Sequence, residues 1–195
     1  LAAVIILFLR LGFWQMDRRA ERLADNESIA ARLDDPAIDH ISELADTAGL
    51  TYRMARATGF YDNERYLLLP GRSHRGVPGV HLLMALRLEG STDAVLVNRG
   101  WVPSPDAATI DAQDFFVRTP VEVRGLVLPF PGSEQSLSQR PSETPAGEFR
   151  HVWYRVDEAA LRAQVPYRLL DATLQEAARE GGQRYPLPLD PPPLD

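Results

Sequence analysis

The residues best equipped for chemistry are few and scattered. Four histidines, His40, His74, His81 and His151, lie far apart in the 195-residue chain. With no His-Glu-x-x-His run and no pair at i, i+4, the spacing that seats zinc on one helix face is missing. His81 and His151 fall in predicted strands, where they could face one another across a sheet, bind iron, relay a proton or simply make hydrogen bonds. Gly71-Arg72-Ser73-His74-Arg75-Gly76 sets a serine between glycines. A nucleophile elbow, however, needs the second glycine one place earlier and a helix to follow, whereas Val77-Pro78-Gly79 comes next. A hydrolase using Ser73 and His74 is therefore the weakest reading. Asn98-Arg99-Gly100-Trp101-Val102-Pro103 is the densest cluster, an amide, a guanidinium and an indole around a glycine where the chain can bend. Asn98, Arg99, Gly100 and Trp101 could satisfy turn carbonyls and fill the core, or anchor a partner's aromatic or carboxylate groups.

Composition removes whole classes of mechanism. The chain has no Cys, so disulfides, thiolate metal sites, iron–sulfur clusters and cysteine nucleophiles are excluded. All 21 basic residues are Arg, which excludes Walker-type phosphate cradles and Schiff bases. Asp and Glu number 27, the net charge is −6, and no arginine stripe follows a phosphate backbone, so nucleic acid is not an expected partner.

The elements that must position these residues follow from periodicity. Met16, Ala20, Leu23, Ala30 and Leu33 form an apolar stripe predicting a helix from Gln15 to about Asp34, ending before Pro36. Asp39 is a candidate N-cap for a short helix through Ile41, Leu44, Ala45 and Ala48 to Gly49. Val80 to Leu88 alternates, Glu89 to Asp93 turns, and Ala94 to Val97 returns, a hairpin pattern. Tyr66–Leu69, Val121–Leu128 and Val152–Val156 are further predicted strands, with Tyr52–Thr58 and Tyr167–Leu170 fainter. Asp157 caps a predicted helix over Glu158–Gln164. Pro129–Gly147 reads as a mobile loop, and the five prolines of Tyr185–Asp195 as an extended spacer. The expected body is α+β, mostly β, an antiparallel sheet or small barrel with flanking helices.

Leu1–Leu9 is unbroken apolar sequence, interrupted by Arg10 and extended by Leu11 to Trp14. A membrane span needs about 20 such residues, so the expectation is the end of an N-terminal transmembrane helix, truncated here. Arg10 would snorkel and Trp14 would sit at headgroup depth. A signal-peptide core or a buried helix is the alternative. Arg18, Arg19 and Arg22 would, by charge bias alone, place the body in the cytoplasm.

Leu11-Gly12-Phe13-Trp14-Gln15, Gly59-Phe60-Tyr61-Asp62, Pro78-Gly79-Val80-His81, Val97 to Pro103, and Val152-Trp153-Tyr154 with Asp157 occur in an order that resembles the Surfeit-locus family of cytochrome c oxidase assembly proteins. The resemblance runs from Leu11 to the proline tail. It implies residues 1–14 as the end of a transmembrane helix, 15–49 as juxtamembrane helices, 50–182 as an extracytoplasmic β-rich domain, and 183–195 as a linker toward a second transmembrane helix. It implies a non-enzymatic, membrane-anchored factor in the bacterial inner membrane, its main domain facing the periplasm against the arginine bias. Its expected partners are the haem-bearing subunit of cytochrome c oxidase, other assembly factors and membrane lipid. Haem a is the implied transient cofactor, and no position here matches the family's proposed iron ligand. A carrier of an apolar macrocycle with two carboxylates needs an apolar slot and a cation near headgroup depth, where Trp14, Gln15 and Arg18 stand; interfacial anchoring alone is the equal alternative for these residues. The alternative function is a cofactor-free scaffold docking nascent oxidase subunits through a sheet edge or the Asn98–Pro103 cluster.

Overall fold

The computed structural model describes residues 2–33, 35–39, 41, 48–131, 148–178 and 185–190. Helix α1 is continuous over Ala2–Leu33, with Arg32 in its last turn complementing the helix dipole. Its end before Pro36 agrees with the periodicity. The N-terminal transmembrane helix expected through Trp14 is not shown: no helix among the described residues is long and apolar enough to cross a membrane. Charge accounts for this, since Arg10 interrupts the apolar run and Asp17, Arg18 and Arg19 end it.

Five strands, β1 (Met54–His74), β2 (Val77–Leu88), β3 (Asp93–Pro103), β4 (Val121–Pro129) and β5 (Arg168–Glu176), close into a barrel in the order β1-β2-β3-β5-β4. The predicted small barrel forms, but the sheet is mixed rather than antiparallel, because β3 and β5 run parallel. The cause is closure itself: five strands in a closed ring cannot all alternate in direction, so one neighbouring pair has to run parallel, and here it is β3 and β5. The best-patterned pair, β2 and β3, is antiparallel as expected. Tyr52–Thr58 and Tyr66–Leu69 are not separate strands; they belong largely to β1, which is irregular between Tyr61 and Tyr66. β5 starts where the faint Tyr167–Leu170 signal lies and continues beyond it.

Strand alternation builds two cores on the two faces of one sheet. Val80, Leu82, Met84, Leu86 and Leu88 of β2 point into the barrel with Val95, Val97 and Leu174. Leu83 and Ala85 point outward into a second cluster with Leu67, Leu96, Trp153 and Leu161. That outer layer carries helix α2 (Glu158–Arg162), whose Asp157 cap accepts the Ala160 N–H at 2.9 Å, as read from the sequence. Val152–Val156 is not a strand: only Val152 bridges Leu68, and Trp153 is buried with its indole N–H donating to the Arg150 carbonyl at 2.7 Å. A segment that folds its own side chain back in this way cannot continue a ladder. The predicted helix Asp39–Gly49 and the Pro129–Gly147 loop fall largely outside the described residues; Ala48–Leu50 is a single 3-10 turn.

Replacing Leu86 by Ala in the inner core, or Leu161 by Ala in the outer layer, should each cost about 2–5 kcal/mol in urea unfolding. A neutral Leu161→Ala would show that the outer layer is not part of the cooperative unit.

Candidate functional site

The Asn98–Trp101 cluster lies at a bulge in β3. Asn98 pairs with Leu83 and Gly100 with Leu82, so Arg99 is the extra residue with no opposite number on β2. The Asn98 side-chain oxygen accepts the Gly100 N–H at 3.1 Å and braces the kink. Arg99 keeps the inward phase of Val95 and Val97, the bulge brings Val102 inward as well, and the Arg99 side chain lies in the barrel, where the residue is 4% exposed. Its guanidinium lies over the Tyr61 ring, 4.8 Å from the centroid, and pairs with Glu176 of β5 at 3.8 Å. It also donates to the Phe115 carbonyl and contacts the Met84 sulfur at 3.2 Å. Tyr61 donates its hydroxyl to Glu176 at 3.4 Å. Phe115 ends a 3-10 turn, Ala112–Phe115, and with Ile110, Phe116 and Val117 it packs against the inner core. One cation thus joins β1, β2, β3, β5 and this connecting segment.

Trp101 is also buried, and its backbone forms a complete antiparallel rung with Leu187: the Trp101 N–H donates at 2.8 Å and the Leu187 N–H returns at 2.7 Å. The Gln175 amide donates to the carbonyls of Leu189 and Asp190 at 3.1 and 3.0 Å. Tyr185–Asp190 is strapped to the barrel by these bonds, and the rest of the predicted spacer, residues 191–195, lies outside the described residues. Gly100 has φ +116°, and a Cβ there would lie 2.0 Å from the Leu187 oxygen, so only glycine admits the strap. A cleft of about 300 Å³ opens beside it, lined by Val102, Pro103, Ile110, Asp111, Phe115 and Tyr185. Among the described residues the buried Trp101 indole N–H has no acceptor. The indole lies against Gly79, where a Cβ would meet it at 2.5 Å.

The other singled-out residues stand apart from this cluster. Trp14, Gln15 and Arg18 are exposed on α1, with the Arg18 guanidinium 6.0 Å from the Trp14 ring centroid, one helical turn away. His151 stacks on Tyr66 with ring centroids 4.2 Å apart, whereas His81 sits in register between Leu69 and Trp101. Burial first, and the Arg72 charge second, lower the His81 pKa to about 4. The His74 ring packs toward Trp101 at 5.4 Å, and the chain after Ser73 turns into β2, not into the helix a nucleophile elbow requires. No group of three or more His, Asp or Glu able to hold a metal is found among the described residues.

Sequence reasoning missed Glu176 and gave Tyr61 no role. Tyr61 was visible inside Gly59-Phe60-Tyr61-Asp62, but Glu176 is a lone carboxylate at the end of a faint strand and carries no local signal. Asp62, in the same motif, was likewise given no role: it is 8% exposed and accepts from Arg65 at 3.0 Å and from the Tyr167 hydroxyl at 2.8 Å, tying the β1 irregularity to the outer layer. Burial and this carboxylate raise the Tyr167 pKa.

Fold and site define a small closed barrel organised around a buried arginine and an edge strap. The model of the SURF1 family matches residues 2–193, and the chain belongs to that family, which is generally linked to cytochrome c oxidase assembly. A SURF1-like protein of Monosiga brevicollis is 26% identical over 200 residues, covering 96% of this chain and 73% of the relative. SURF1-like proteins of Rickettsia felis and Rickettsia bellii are 28% and 27% identical, covering 77% and 78% of this chain. The chain spans 62% and 59% of the length of those two relatives.

Glu176→Gln should cost about 3–5 kcal/mol in denaturant unfolding, because it leaves a buried guanidinium without its counter-ion. The paired change Arg99→Met with Glu176→Leu should recover most of the loss. His81 gives a pH signature: its pKa is about 4 folded and near 6.5 unfolded, so the unfolded chain binds the extra proton. Stability should be level above pH 6.5 and fall as pH drops from 6.5 toward 4, a slope that His81→Gln should flatten in urea titrations at stepped pH.

Proposed function

We propose that this protein is a non-enzymatic, membrane-anchored assembly factor for cytochrome c oxidase that holds haem a, or helps insert it, into the haem-bearing subunit alongside other assembly factors. The carrying observation is membership of the SURF1 family over residues 2–193. The proposed setting is the bacterial inner membrane with the barrel in the periplasm. The front of α1 supports an anchor: Leu11, Phe13, Trp14 and Met16 are 45–67% exposed, a concentration of apolar surface that ends at Asp17-Arg18-Arg19.

The residues present fit part of a haem a contact. The exposed Trp14 ring offers an apolar face, and Arg18, one turn on, offers a cation for a propionate. Gln15 beside them adds a hydrogen-bonding amide. In this reading these three hold the macrocycle's rim and none ligates its iron. The cofactor-free scaffold is the second reading. The structure favours it in one respect, since the β3 edge beside the Asn98–Trp101 cluster already accepts an added extended segment.

Full-length protein purified with Arg18→Ala should retain less haem a by visible absorbance than the parent, and cells carrying it should yield less haem-replete oxidase. Unchanged haem content removes Arg18 from the site. Oxidase yield that depends on the protein while the purified parent shows no haem absorbance favours the scaffold.

A further inference from the structure

The barrel strands are unequal in length, and this leaves an edge. β5 pairs with β3 only as far as Asn98, opposite Gln175, and then turns toward β4, where the Ala177 N–H donates to the Arg124 carbonyl. Among the described residues, no barrel strand pairs with Gly100 to Pro103 on the side of β3 facing away from β2. Leu187 fills it with a single rung.

We propose that the Gly100–Pro103 edge of β3 is a β-addition site for an extended, leucine-bearing segment of a partner protein, occupied in cis by Tyr185–Asp190. The proposal rests on the reading of the chain as a protein-binding assembly factor. The seated segment shows what the site accepts. Leu187 presents both its N–H and its carbonyl to Trp101, as a residue of a hydrogen-bonded antiparallel pair does. The residues on either side of Leu187, Pro186 and Pro188, carry no backbone N–H. The strap therefore offers no donor at those positions for a further strand. It closes the edge without extending it.

The receiving side is shaped for an incoming backbone. The φ of +116° at Gly100 and the 2.0 Å approach that any Cβ would make to the Leu187 oxygen leave a channel one strand wide. The cleft of about 300 Å³ between Tyr185 and Phe115 gives room for a flanking side chain of the entering segment. The hold on the strap is slight beside that on the barrel strands. Its backbone contributes two bonds, Gln175 two more, and the Tyr185 ring meets Trp101 edge-on at 6.1 Å, whereas β1 and β2 are in register over ten residue pairs. A segment held by one rung opens without unfolding the barrel. Opening it exposes the Trp101 N–H and carbonyl to a competitor of the same chemistry.

Hydrogen exchange of the intact chain, with the hexapeptide Tyr-Pro-Leu-Pro-Leu-Asp as probe, tests this. The Trp101 amide should exchange about 100-fold faster than the Leu96 amide in the barrel wall, as a locally opening contact does. In Leu187→Pro, which removes the strap's donor, Trp101 should exchange faster still while Leu96 is unchanged. Millimolar peptide should then slow Trp101 again, but not when Gly100→Val is added. Gln175→Ala, which loses only the side-chain bonds to the strap, should move Trp101 in the same direction. Trp101 exchange as slow as that of Leu96 would identify a permanent wall element and overturn the proposal, as would a peptide that leaves Trp101 exchange unaltered in Leu187→Pro. Either failure concerns this edge alone, whereas failure of the assembly-factor reading would appear as oxidase yield independent of the protein.

Discussion

A guanidinium inside an apolar barrel is tolerable only if its charge and its hydrogen-bonding capacity are met there, and Arg99 imposes that condition on the rest of the fold. Its partners come from far apart in the chain: Tyr61 on β1, Met84 on β2, the Phe115 carbonyl and Glu176 on β5. A closure that placed β5 elsewhere would bury one charge without the other. Removing one member of such a pair costs several times what an ordinary hydrogen bond contributes, so the pair penalises wrong closures whatever its net stabilisation. The bulge is part of the same constraint. Without an extra residue between Asn98 and Gly100, the alternation that sends Val95 and Val97 inward could not send both Arg99 and Val102 inward as well.

Closing a barrel from strands of 21, 12, 11, 9 and 9 residues leaves edges where the short strands stop. The chain covers them with isolated rungs: Ile38 on Ala55, Val152 on Leu68 and Leu187 on Trp101. Two of these rungs lie on segments flanking the barrel, one toward α1 and one toward the proline-rich tail. Unpaired strand edges invite association with other chains, so a single-rung cover both protects the edge and fixes the line along which each segment leaves. The same geometry underlies the reading of this protein as a docking platform.

Much of the architecture was legible in the residues. The β2–β3 hairpin follows from strict alternation broken by Glu89–Asp93, and α2 from the Asp157 cap, both local signals of periodicity and hydrogen-bonding chemistry. Asn98-Arg99-Gly100-Trp101 stood out because an amide, a cation and an indole around a glycine rarely serve a plain strand. Its geometry was not legible. Neither the pairing of Arg99 with Glu176 nor the rung between Trp101 and Leu187 has a local signature, because each depends on a partner more than 70 residues away. Val152–Val156 misled for the same reason: its β-branched and aromatic residues suit a strand, but Trp153 found a better burial against the outer face of the barrel.

The amino-acid sequence by itself determined which segments alternate, where helices are capped, which chemistries are absent, and which family the chain resembles. These depend on residues within a few positions of one another, or on composition. Only the tertiary structure decided that the sheet is mixed, that Arg99 meets Glu176 inside the barrel, and that the proline-rich tail turns back onto β3. Those outcomes depend on which distant segments satisfy one another's buried charges and unpaired backbone groups, and that is settled when the barrel closes.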